Sequence, residues 1–72
     1  MEIIITTHTA TNLFFRGIDG WKAKEVVKSP SWKRTQKDGT IVARKDFEGK
    51  TLEVIYIEYT NKQVIKTAYY VD

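Results

Sequence analysis

Leu52-Glu53-Val54-Ile55-Tyr56-Ile57-Glu58-Tyr59 is the longest dense apolar run in the chain. Its β-branched and aromatic residues favour a pleated strand over a helix. Both alternating faces are apolar, with Leu52, Val54 and Tyr56 on one and Ile55, Ile57 and Tyr59 on the other. A strand of that kind is usually central and covered on both sides along its middle. The stretch is therefore expected in the middle of a small antiparallel sheet.

The flanking sequence supplies its neighbours. Trp32 to Gln36 reads as a strand, Lys37-Asp38-Gly39 as a hairpin turn of the Asp-Gly kind, and Thr40 to Phe47 as a second strand. Glu48-Gly49-Lys50 is another tight turn before the central run. Thr60-Asn61-Lys62 turns the chain into a last strand, Gln63 to Val71. Turns recurring at this spacing indicate an antiparallel meander.

On the N-terminal side, Glu2 to Thr6 carries three consecutive isoleucines and reads as a short strand that needs burial on both faces, or on one face plus a partner chain. His8 to Arg16 reads as a first helix, capped by Thr6 or Thr7 and closed by Gly17 at C′. Ala10, Leu13, Phe14 and Gly17 follow the spacing of a buried helical face. Asp19 to Ser29 reads as a second helix, with Asp19 as N-cap and Ala23, Val26 and Val27 as its apolar stripe. Ser29-Pro30 stops it, because the proline ring disfavours the helical region for the preceding residue. The expected fold class is α+β, with two N-terminal helices packed on a small antiparallel sheet of three to five strands, as a single domain over residues 1–72.

The chain has 72 residues, no cysteine and one histidine, His8. That excludes a disulfide, a thiolate zinc site and a multi-histidine metal site within one chain. No motif indicates a cofactor. The opening Met1-Glu2-Ile3-Ile4-Ile5 has an early acid and a short apolar run, unlike a signal peptide or a membrane span, so a cytoplasmic protein with no membrane partner is expected. Net charge is +3, unevenly spread. Residues 16–50 hold ten basic and five acidic side chains, while each end of the chain carries −1. A local basic excess suits a polyanion such as RNA, and it equally suits a solvated surface.

From His8 the chain reads His-Thr-Ala-Thr-Asn-Leu-Phe-Phe-Arg-Gly-Ile, followed by Pro30, Val54-Ile55-Tyr56 and Thr67-Ala68-Tyr69. This resembles a family of small domains known as the DUF4258 family, whose pattern runs His-Ala-x-x-Arg-Met-x-x-Arg-Gly-Ile, a helix ending in Asn-Pro, a Val-Val-Tyr strand and a closing strand. The likeness spans His8 to about Tyr70. That family is similar in fold to RelE-like and BrnT-like toxins of toxin–antitoxin modules, small basic proteins that cut RNA. The resemblance thus implies a RelE-like fold, an endoribonuclease of the mRNA interferase type, mRNA (free or on the ribosome) as substrate and an antitoxin as partner. Asn12 stands where the family has the first arginine of its helix, which removes one possible phosphate contact.

Metal-independent RNA cleavage needs a base for the 2′-hydroxyl, cations for the phosphate and an acid for the leaving 5′-oxygen. His8 can serve as base or acid, Arg16 can present a fork to phosphate, and Tyr69 or Tyr70 can donate a proton or stack a base. Lys33, Arg34, Arg44 and Lys45 could line an RNA cleft. Each has a plainer structural role too: His8 as a helix-start hydrogen-bonding residue, Arg16 as a dipole partner, and the four cations as solvated charges. Two other readings stand beside the enzyme. One is a non-catalytic module binding RNA or protein on the same face. The other is a homodimer joined through an exposed strand such as Ile3-Ile4-Ile5.

Overall fold

The elements follow one another as β1 (Glu2–Ile5), α1 (Thr7–Phe15), α2 (Gly20–Lys28), β2 (Trp32–Thr35), β3 (Ile41–Phe47), β4 (Lys50–Glu58) and β5 (Lys62–Val71) in the computed structural model, which describes residues 1–71. The strands form one sheet in the order β1-β5-β4-β3-β2. β4, which holds most of the apolar run from Leu52, takes the middle, and β2 to β5 form the expected antiparallel meander. Two features differ from expectation. β1 pairs parallel with β5, so the sheet is mixed rather than antiparallel. β1 also precedes both helices, so they are not N-terminal elements. They carry the chain from one edge of the sheet, at β1, to the other, at β2.

Both helices pack on one face. Leu13 of α1 and Ala23, Val26 and Val27 of α2 meet Ala43, Leu52, Val54, Tyr56, Ile65 and Ala68 of the sheet in one buried cluster. Ile3 and Ile5 join that side, while Ile4 faces away. β4 is therefore covered on one side only, and Ile55 and Ile57 stay half-buried on the other. On α1 the buried residues are Thr9 and Leu13, whereas Ala10 and Phe14, expected inside, are exposed. The helix rests on the single row Thr9–Leu13, four residues apart, so Ala10 and Phe14, one position further round, turn outward; the Thr9 hydroxyl lies 3.4 Å from the carbonyl oxygens of Ile65 and Lys66.

The turns explain the joins. Thr6 caps α1, its side chain accepting from the Thr9 N–H. At the other end Ile18 N–H donates to Leu13 O and Gly17 N–H to Phe14 O, with Gly17 at φ +69°. This is the paired closure of a helix that needs a left-handed residue at C′, with buried Leu13 and Ile18 flanking it. Gly17→Ala should cost about 1 kcal/mol through its positive φ alone, read as a lower urea midpoint with an unchanged slope. The Phe47–Lys50 pair is closed by Glu48 and Gly49, both at positive φ, the two-residue turn that matches strand twist.

Between β4 and β5 the register shifts once. Tyr56 lies opposite Ile65 but Ile55 lies opposite Thr67, which leaves Lys66 as the extra residue of a bulge. Side chains alternate strictly along a strand, so one added residue exchanges the two faces for everything beyond it. Without the bulge Ala68 would lie opposite Glu53; with it, Tyr69 does.

Candidate nucleic-acid interface

The face of the sheet that the helices leave open carries one transverse row of chemically distinct side chains. Trp32 lies opposite Arg44, Arg44 opposite Glu53 and Glu53 opposite Tyr69, so four adjacent strands contribute one residue each. Side chains directly opposite one another lie close enough to interact. Arg44 Nε donates to Glu53 Oε1 at 2.7 Å. The Tyr69 hydroxyl donates to Glu53 Oε2. The Arg44 guanidinium lies 5.2 Å from the centre of the Trp32 ring, and that of Arg34 lies 5.6 Å from the same ring. Trp32 thus sits against two cations, a favourable pairing for an indole.

Arg16 reaches this face from α1. Its Nη1 donates to Thr67 Oγ1 and to Ala68 O, each at 2.8 Å. β1 ends its pairing at Ile65, so beyond that point the outer edge of β5 has no strand partner among the described residues. Arg16 and Thr9 supply donors to carbonyls there. The Arg16 charge is close enough to act on the Tyr69 phenol.

Glu53 is nearly buried, its side chain 7% exposed, and the neighbouring Arg44 side chain is half open. A buried carboxylate must be paired, and here both oxygens are. The Tyr69 phenol is pushed above the ordinary tyrosine range, chiefly by its hydrogen bond to Glu53, then by burial and the carboxylate charge; Arg44 and Arg16 pull the other way. A raised phenol pKa adds stability that is complete below about pH 10 and is lost as pH climbs through the raised value. Tyr69→Phe should therefore cost about 1.5–3 kcal/mol at pH 8, the worth of a hydrogen bond to a charged group. That deficit should shrink as pH climbs beyond the ordinary tyrosine range and the parent ionises. Urea midpoints of parent and variant across that range check it.

The residues expected to form a site separate in space. Arg16, Arg34, Arg44 and Tyr69 share the open face or its rim. Lys33 lies opposite Ala43 and hence on the helix side of β2. Lys45 also faces the helices. Its ammonium meets Glu25 Oε2 at 3.2 Å and donates to Ser29 O at 3.0 Å, closing the C-terminal end of α2. His8 is exposed on the first turn of α1 and, among the described residues, makes no side-chain hydrogen bond or ion pair. Eight residues along a helix put it about 12 Å from Arg16. Tyr70 faces the core side, opposite Leu52. Sequence reasoning missed Glu53 and the place of Trp32 beside the arginines.

Among the described residues no three His, Asp or Glu side chains gather as a metal-binding group, and no helix is long and apolar enough to cross a membrane. Compared with known proteins, the chain matches no family model, no curated protein and no solved structure.

Proposed function

We propose that this chain is a binding module for single-stranded RNA, with the open sheet face as its contact surface. The observation that carries the reading is the row Trp32–Arg44–Glu53–Tyr69 with Arg34 and Arg16 beside it. Single strands are held by cations that track phosphates and by aromatic faces that stack bases. Arg34, Arg44 and Arg16 supply the first, and Trp32, 44% exposed, supplies the second. Glu53 fixes the Arg44 fork rather than repelling phosphate, because its charge is shared between Arg44 and Tyr69. The choice of RNA over DNA follows the resemblance to RNA-cutting domains.

A second reading is the metal-independent endoribonuclease of toxin type, with mRNA as substrate and an antitoxin as partner. The Glu53–Tyr69 pair between two guanidinium groups favours it. Glu53 would take the 2′-hydroxyl proton while that oxygen attacks phosphorus. Tyr69 would protonate the leaving 5′-oxygen, and the proton on Glu53 would return to Tyr69 through their hydrogen bond. The products are a 2′,3′-cyclic phosphate and a 5′-hydroxyl. Binding stands first because Glu53 is nearly buried with both oxygens engaged, and His8 stands apart from the row.

The test is a labelled single-stranded RNA with chelator present, followed by anisotropy and then by gel. Binding with intact RNA, and a salt slope of about −2 for three phosphate contacts, is the expected result. Cleavage lost in both Glu53→Gln and Tyr69→Phe, yet kept in His8→Ala, would put the second reading first. Neither binding nor cleavage at low salt would end both.

A further inference from the structure

The helix side of the molecule carries a second surface, and it uses none of the residues of the sheet-face row. A groove of about 520 Å³ opens between α1, α2 and β1, walled by Ile5, Leu13, Phe14, Ile18, Trp21 and Lys24. A second, of about 460 Å³, lies over Ile3 and Val27 with Lys24 and Lys28 at its lip. Lys24 lines both, so the two meet at that side chain. The walls stand unusually open for aromatic residues: Phe14 is 77% and Trp21 62% exposed. Contiguous exposed apolar surface of this kind, rimmed by charge, marks an interaction site.

The charges at the rim narrow the occupant. Among the described residues Lys24 and Lys28 have no carboxylate within ion-pair distance. Glu25, the acid between them in sequence, is paired with Lys45 instead. Among the described residues Asp19 is the only acidic one lining either groove, and it lies at the start of α2. A segment with an apolar stripe and carboxylates on its flanks would fill both grooves and meet both lysines. The chain's own helices do not fit that description. α1 has no acid, and α2 has three lysines against one glutamate, so a second copy docking by its helices would set lysine against lysine. A bilayer fits less well too: Phe14 and Trp21 stand raised, but Leu13, Ile18 and Val27 line the grooves nearly buried, out of a flat surface's reach.

We propose that this trough is the docking site for an acidic amphipathic helix of another protein, read by apolar anchors between α1 and α2 and by Lys24 and Lys28 at the lip. A helix laid in a groove is a common mode of peptide recognition. The proposal is independent of RNA binding on the opposite face, and either can fail alone.

The test titrates the full isotope-labelled chain with a synthetic helical peptide of about four turns, leucine along one stripe and glutamate elsewhere. Amide shifts should concentrate on α1, α2 and β1. Affinity should fall about tenfold or more in Trp21→Ala and in Lys24→Glu, and equally when lysine replaces glutamate in the peptide. Both substitutions change exposed side chains, and circular dichroism confirms that the fold is kept. Shifts on the open sheet face, equal binding of a scrambled peptide, or no binding would each overturn the proposal. So would self-association of the chain that Trp21→Ala abolishes, which puts a second copy there. Sedimentation with phosphatidylserine vesicles that Trp21→Ala abolishes, with no peptide bound, would put a bilayer there.

Discussion

Leu52→Ala is expected to lower the free energy of unfolding by about 3 kcal/mol, within the range for emptying a fully buried leucine site. Leu52 is 0% exposed, lies on the middle strand and is flanked in the sheet by Lys45 and Tyr70. The core side chains around it come from several elements, so no single one can collapse into the vacated space. A domain of this length has about 4–11 kcal/mol in total. The loss is thus a large share of the whole, and it should appear as a fall in urea midpoint and melting temperature. Phe14→Ala, by contrast, removes a larger side chain from an exposed position and should change stability by less than about 0.5 kcal/mol. Equal costs at the two positions would mean that the helices do not sit on this face.

Trp32→Ala is expected to weaken single-stranded RNA binding about tenfold or more, since one base–aromatic stack is worth about 1–3 kcal/mol. The effect should fall on affinity with the salt slope retained, because the arginines proposed to meet phosphate remain. Arg34→Ala should do the reverse, with a modest loss of affinity and a slope shallower by about 0.7. Both residues lie on the exposed edge strand β2, so neither substitution opens the core. Anisotropy at several salt concentrations separates the two signatures. An unchanged affinity for Trp32→Ala would remove stacking on this residue from the account.

The central strand and the meander were legible because β4 is apolar on both faces and tight turns separate the strands. The Arg44–Glu53 pair could have been read as well. The two-residue turn at Glu48-Gly49 fixes Phe47 opposite Lys50, and counting back three residues on each strand sets Arg44 against Glu53. The same count shows that Lys45, opposite Leu52, faces the core side. Tyr69 could not be placed that way. Its face depends on the bulge at Lys66, and nothing in Val64-Ile65-Lys66-Thr67 marks an extra residue. The parallel pairing of β1 was hidden too, because it joins residues some sixty positions apart, and Glu2–Ile5 is equally apolar in either direction. On α1, apolar spacing selected Ala10 and Phe14, but the helix turns the row Thr9–Leu13 to the sheet, with the Thr9 hydroxyl beside the two carbonyls at the bulge. One threonine–leucine row, rather than the apolar stripe, faces the sheet on that helix.

RNA is proposed to meet the sheet face that the helices leave open. The most direct test of this contact is an amide and indole chemical-shift titration of the full chain with a short oligouridylate at low salt. Shifts are expected at the Trp32 indole N–H and along Arg34, Arg44, Glu53 and Tyr69, with α1 before Arg16 and all of α2 unmoved. Shifts confined to the helices, or none at saturating oligonucleotide, would contradict it.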